Sequence, residues 1–134
     1  MQLHLSIVTP TADVLEVECD EVDAPGVNGE LGFLPGHVAL ITALKPGVLT
    51  LTLGSKRRIF AVGSGFAEVE GNQVRVLTES CEEASTIDRA RAQAALQKAQ
   101  AAVKDLSPDA PGYTEQTRRI ARAEARLQAS ERKA

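Results

Sequence analysis

Few residues in this sequence are equipped to make or break bonds. Ser64 and Ser80 have no histidine or aspartate spaced to relay a proton, so nucleophilic catalysis has no foundation. His4 and His37 stand alone and Cys19 and Cys81 lie far apart, whereas a metal centre needs a denser set of ligands. No metal is expected, and the cysteines read as reduced thiols. No Gly-x-x-x-x-Gly-Lys-Ser/Thr loop occurs, and Gly63-Ser64-Gly65 falls between strand-like runs, where it reads as a bulge or turn. No catalytic residue is assigned, and the chain is expected not to be an enzyme. What remains is charge. Ile87-Asp88-Arg89-Ala90-Arg91-Ala92 gathers one acid and two guanidinium groups within six residues. Asp88 suits a helix cap, and Arg122 and Arg126, four apart, suit a solvated face paired with acids.

These groups sit in a chain with two grammars. Up to about residue 80, short β-branched or apolar runs alternate with polar residues: Leu3, Leu5 and Ile7 around His4 and Ser6; Leu49, Leu51 and Leu53 around Thr50 and Thr52; Val74 and Val76 around Arg75. Each set places one face on a core and one in water. Turns are expected at Ala24-Pro25-Gly26, Val27-Asn28-Gly29, Leu34-Pro35-Gly36, Lys45-Pro46-Gly47, Leu53-Gly54-Ser55 and Glu70-Gly71-Asn72. Many short strands punctuated in this way give a sandwich or flattened barrel. Beyond Cys81 the composition turns to alanine, glutamine and charge, with no glycine between Asn72 and Gly112. Ser85-Thr86-Ile87-Asp88 fits an N-cap with an acid three residues on, which predicts a helix over 87–106. Ser107-Pro108-Asp109-Ala110-Pro111-Gly112 breaks it, and a second helix is predicted over 114–133 with Ile120, Ala123 and Leu127 on one face. The fold class is α+β: a β-sandwich over 1–84 and an antiparallel two-helix hairpin over 85–134. Large apolar residues are scarce in the hairpin, so it is marginal and could open for a better partner.

Charge divides along the same line. Residues 1–84 hold 5 Lys+Arg against 12 Asp+Glu, and residues 85–134 hold 10 against 6, so the halves carry −7 and +4. The tail therefore either folds on the acidic body or seeks an acidic surface elsewhere. Nucleic acid is a poor partner, because aromatic residues amount to only 3% and acids interrupt the basic residues. No apolar stretch approaches the roughly 18 residues of a membrane span. The first residues alternate like a strand and not like a signal peptide, so membrane association is expected only through a partner, from the cytosolic side.

Gly29-Glu30-Leu31-Gly32-Phe33-Leu34-Pro35-Gly36-His37 is the most distinctive segment. Alone it is a glycine-hinged corner. Followed by Leu44-Lys45-Pro46-Gly47, Gly63-Ser64-Gly65-Phe66-Ala67-Glu68-Val69 and Ile87-Asp88-x-x-Arg91-Ala92, it resembles the epsilon subunit of bacterial F-type ATP synthases along essentially the whole chain. That resemblance implies a β-sandwich with a two-helix tail, in a non-catalytic rotor subunit at the cytoplasmic face of the cell membrane. It implies a gamma subunit held at one edge of the sandwich and c-ring loops at its foot, with Glu30 and His37 placed there by match. It implies ATP as a regulatory ligand in the folded hairpin, on Glu82, Ile87, Asp88, Arg91, Ala92, Lys98, Arg122 and Arg126. Lys98 stands where members can carry arginine, which removes a planar fork and keeps the charge. It further implies a tail that extends into the alpha/beta catalytic head to block ATP hydrolysis, through Arg118, Arg119, Arg122 and Arg126. The alternative is a free-standing ATP-sensing module acting on another partner.

Overall fold

The computed structural model describes residues 2–132. Ten strands form one continuous, folded-over sheet: β1 (Leu3–Thr9), β2 (Ala12–Cys19), β3 (Glu21–Gly26), β4 (Gly29–Phe33), β5 (Leu40–Leu44), β6 (Gly47–Leu53), β7 (Lys56–Val62), β8 (Gly65–Glu70), β9 (Gln73–Thr78) and β10 (Cys81–Glu83). Their order is β10-β7-β6-β3-β5-β8-β9-β1-β2, with β4 paired to β3 outside that path. Neighbours are antiparallel except β1 and β9, which run parallel. The period-2 pattern is realised directly. Leu3, Leu5 and Ile7 of β1 and Val74 and Val76 of β9 are buried in the sandwich core with Val22, Phe33, Leu49 and Phe60. Both cysteines are free thiols, and burial pushes that of Cys81 up to about 11.

Two short helices follow a single 3₁₀ turn at Ala84–Thr86: α1 (Arg89–Lys104) and α2 (Tyr113–Glu131). The sandwich and hairpin thus appear in the expected order. The first helix starts two residues later than predicted, because Ile87 is held extended with its side chain buried, leaving Asp88 as the cap. It also stops at Lys104 and not at 106. The predicted end of the second helix, Lys133, lies outside the described residues.

Two local expectations of the β-half are overturned. Ala24-Pro25-Gly26 is strand and not turn, antiparallel to β4 with Pro25 opposite Glu30. Proline is tolerated there because the β3–β6 ladder covers Glu21, Val22 and Asp23 only, so no partner needs the missing N–H. Its carbonyl accepts from the Lys45 N–H at 2.9 Å. Thr50 does not face water but is buried, as are Val48, Ile59 and Ala61 on the outer side of β6 and β7. The reason is tertiary: α2 lies across this face, packing Ala125 and Ala129 against Val48, Ile59, Ala61, Ala84 and Ile87. α1 in turn packs on α2.

Gly65 marks the tightest approach within the sheet. A Cβ there would stand 1.8 Å from the Leu77 carbonyl oxygen, and that oxygen is backbone, so it cannot swing aside. Gly65→Ala should lower sandwich stability by about 1–3 kcal/mol or more in urea unfolding. Ala129→Leu, at a fully buried seam position, should instead strip amide-exchange protection from α1 and α2 while sparing β1 and β9.

Candidate functional site

The hairpin rises from a fixed base. Arg58 on β7 donates from Nε to Glu83 Oε2 and from Nη2 to Glu83 Oε1, both at 2.9 Å, and its guanidinium lies 5.4 Å from the centre of the Phe60 ring. These bonds hold the Glu83 carboxyl below its usual range and staple β10 to β7. The Thr86 hydroxyl donates to the Glu83 carbonyl at 2.7 Å and closes the turn. The Asp88 carboxylate then accepts from the Arg91 backbone N–H at 3.1 Å, the hydrogen bond of an N-cap. At the same end, Arg89 donates to Ser130 Oγ at 3.1 Å and pairs with Glu131 at 3.4 Å, tying the first turn of α1 to the last turn of α2.

Midway along the hairpin α1 and α2 border a cleft of about 290 Å³. Lys98 of α1 and Arg119, Arg122 and Arg126 of α2 line it, with Gln116 and a floor of alanines. Spacings of 3 and 4 residues put these cations on one helix face each, which aims them across the same gap. Glu82 on β10 is their carboxylate from the sandwich: its Oε1 stands 3.2 Å from Arg126 Nε and 3.8 Å from Arg122 Nη2. The Arg126 pair is close without being a hydrogen bond, since the buried Nε–H is not aimed at the carboxylate and has no acceptor. Arg119 is engaged along its own helix by Glu115 at 3.2 Å. Positive charge exceeds negative here, so the cleft is suited to an anion.

Of the residues assigned from sequence, the fold brings Glu82, Lys98, Arg122 and Arg126 together. Arg91 is exposed on the same face of α1 as Ala95 and Lys98, one turn outside the cleft. Ile87 does not line the cleft; it is buried against the sandwich. Ala92 is fully buried on α1, and Asp88 is engaged as a cap. Arg118 is exposed, a helical step of about 100° from Arg119. Gln116 was not singled out from sequence, nor was Arg119 as a wall of this cleft. The signal was present in the spacing of 116, 119, 122 and 126.

Glu30 and His37 do not share one end of the sandwich. Glu30 opens β4 beside Lys45, Pro46 and Arg132, while His37 follows β4 at the end where the Gly36 N–H donates to Asn72 Oδ1 at 2.9 Å. A whole strand separates them, so a single foot carrying both is corrected to two opposite ends. His37 is fixed locally, edge-on to Phe33 with ring centres 5.3 Å apart and Nδ1 2.8 Å from the Val38 carbonyl.

The sheet has a second outer face, on β5, β8, β9 and β1, away from the helices. Cross-strand pairing sorts its side chains into rows. Ala43, Phe66, Leu77 and Val8 form an apolar row; Ile41, Glu68, Arg75 and Ser6 form a mixed one; Glu70, Gln73 and His4 form a polar one. Ile41 and Phe66 are 71% and 54% exposed. Beside Phe66, a groove of about 470 Å³ runs past Leu77, Val8 and Pro10. Exposed apolar groups in this concentration mark a protein-contact surface.

Comparison with known proteins matches both halves. Residues 2–84 match the family model described as ATP synthase, Delta/Epsilon chain, beta-sandwich domain. Residues 85–131 match that described as ATP synthase, Delta/Epsilon chain, long alpha-helix domain. The chain is 43% identical over 127 residues to the ATP synthase epsilon chain of Geobacter metallireducens, covering 95% of this chain and 92% of that one. It is 47% identical over 107 residues to that of Lawsonia intracellularis, covering 80% of each. In fold it is similar to a chain of the Euglena gracilis mitochondrial ATP synthase OSCP/F1/c-ring structure, with TM-score 0.82, 24% identity and coverage of 92% of this chain and 78% of that one. It is also similar to a chain of the Tetrahymena thermophila mitochondrial ATP synthase central stalk/c-ring structure, with TM-score 0.67, 18% identity and 97% of each covered.

Removing Glu82 takes the sandwich's carboxylate away from Arg122 and Arg126. Glu82→Ala should weaken α2 docking by about 1 kcal/mol, read as faster amide exchange across Tyr113–Glu131. Arg119→Ala, whose ion pair is within one helix, should change that exchange by no more than about 0.5 kcal/mol.

Proposed function

Since the chain belongs to the ATP synthase delta/epsilon chain family, we propose that it works as the non-catalytic central-stalk subunit that joins gamma to the c-ring and restrains ATP hydrolysis through its helices. The observation that carries this reading is the division of the sandwich into two outer faces. One is covered by the hairpin; the other is bare and carries an apolar row beside a mixed and a polar one. The bare face of β5, β8, β9 and β1 is the surface for gamma: Phe66 and Ile41 are the exposed anchors, and Glu68 and Arg75 in the row of Ile41 supply orientation. The chains to which the fold is similar come from an OSCP/F1/c-ring structure and a central stalk/c-ring structure, which supports a stalk role. Membrane association comes through the c-ring; among the described residues no helix is long and apolar enough to cross a membrane.

The covered face supplies the regulatory part. α2 is held by alanine methyls, each worth on the order of 0.8 kcal/mol, and by one carboxylate shared between two arginines. An acidic surface on the catalytic head would compete for the same guanidinium groups once α2 leaves, and Arg118, Arg119, Arg122 and Arg126 would meet it there. ATP favours the opposite state. Its phosphates enter the cleft between Lys98, Arg122 and Arg126, with Arg91 at its margin, and supply the acceptor that the Arg126 Nε–H lacks. Arg122 and Arg126 cannot serve both anions at once. ATP therefore shifts the population toward the folded hairpin, and away from inhibition, by its differential affinity for the two states.

Tagged protein recovered from its own cell extract should bring down gamma and the alpha and beta subunits; recovery without gamma would refute the rotor assignment. Ending the chain after Ala84 should raise ATP hydrolysis by the assembled complex, and an unchanged rate would remove the regulatory role. Calorimetric titration with ATP should give heat for the wild type and less for Arg91→Ala and Arg126→Ala. No heat at millimolar ATP would dispose of the nucleotide site while leaving the rotor role intact.

A further inference from the structure

β2 is the last strand of the sheet and takes its ladder from β1 alone. Its outward side chains are acidic: Glu16 and Glu18 are two residues apart and therefore on the same face. Opposite them on β1 stands His4, in register with Glu18, and Ser6 in register with Glu16. The His4 ring reaches both carboxylates, with Nδ1 2.8 Å from Glu18 Oε1 and Nε2 2.9 Å from Glu16 Oε1.

The arrangement has one protonation state that satisfies it. An ionised carboxylate only accepts, and a neutral imidazole has one N–H and one lone pair. With a neutral ring, one of the two contacts would set a lone pair against a negative oxygen. Both contacts are hydrogen bonds only when both ring nitrogens carry protons, that is, as imidazolium. The ring then also neutralises part of the repulsion between Glu16 and Glu18.

We propose that His4 is a proton-dependent clamp that fastens the terminal strand β2 to the sandwich, so that the sheet edge is tight when the imidazole is charged and loosens when it is neutral. The other groups facing this position do not replace it. On β9, Gln73 stands opposite His4 and is uncharged, with Glu70 of β8 beyond it in the same row; Arg75, opposite Ser6, lines the same surface hollow as His4 and Glu16 without an ion pair to either carboxylate. Gln2 and Asp20, at the open end of β2, meet only at 3.5 Å. The hydrogen bond to Glu18, followed by that to Glu16, raises the His4 pKa above its ordinary 6.5. A raised folded-state value contributes stability fully below the unfolded value, and this is lost as pH rises through the folded value. The clamp therefore releases as pH rises through the raised His4 value, above 6.5. The device lies at the polar end of the bare outer face and depends on neither hairpin position nor nucleotide.

Proton NMR titration of the full chain tests it, with the His4 ring signals assigned by their loss in His4→Gln. His4 should titrate above 6.5. Glu16→Gln with Glu18→Gln, which preserves side-chain size, should bring it down toward that value. Amide exchange along Ala12–Cys19, corrected for the intrinsic pH dependence of exchange, should then show strand opening that increases with pH through the His4 titration. The size of that increase is set by how far the folded-state His4 value stands above the unfolded one, since a single proton links the two states. His4→Gln should abolish the pH dependence. A His4 value at or below 6.5, or the same β2 exchange profile in wild type and His4→Gln, would overturn the proposal.

Discussion

Contact between α2 and the outer side of β6 and β7 governs how the whole molecule is arranged. A strand presents alternate residues to opposite faces, and most strands here have one face in the core and one toward solvent. β6 and β7 are the exception: Val48, Ile59 and Ala61 are apolar on the side that would otherwise face water. That stripe requires a cover, and α2 meets it with Ala125 and Ala129. Alanine on the helix side allows close approach with little area buried, so the cover fits well without being strongly held. Burial of Thr50, the seating of Ile87, and α1 riding on α2 all follow from that one contact.

Electrostatics complement this weak packing. The acidic body offers Glu82 to a basic tail, and the partner it finds is a pair of arginines with an imperfect fit. A carboxylate that met both guanidinium groups in bidentate geometry would bind them tightly and leave nothing for a competing anion. The observed arrangement, at 3.2 and 3.8 Å with one buried N–H unsatisfied, leaves that capacity open. Arg58 and Glu83, next door, show the contrasting case: two parallel bonds at 2.9 Å and a carboxyl driven below its usual range.

Much of this was legible before any coordinates. Alternation in β1 and β9 located the core face, because those strands meet solvent on the other side. Alternation failed at Thr50, because period-2 reasoning assigns a polar face to water and cannot see a helix arriving from 60 or more residues away. Pro25 was misread for a related reason. A proline next to a glycine suggests a turn, and only the ladder shows that its position has no N–H to supply. In the site, the conjunction of Glu82, Lys98, Arg122 and Arg126 came from family resemblance. Arg119 and Gln116 follow from helical spacing once the cleft is seen. Asp88 had two readings in sequence, cap and ligand, and its hydrogen bond to the Arg91 N–H uses the first. Family resemblance places Glu30 and His37 at one foot, and β4 holds them apart.

The staple between Arg58 and Glu83 also sets the mechanics of any tail movement. β10 cannot swing, so rotation must begin in the few residues between Glu83 and Arg89, which amounts to a pivot mounted on the sheet. Beyond it, α1 spans about 24 Å and α2 about 28 Å at 1.5 Å per residue. Folded, the two lengths cancel, and the free end returns to within reach of its own base, where Arg89 holds Ser130. Opened into line they add, so a rearrangement confined to two short connections would carry the tip roughly 50 Å from the pivot. The hairpin is in that sense a folded ruler whose joints are weak and whose mounting is rigid.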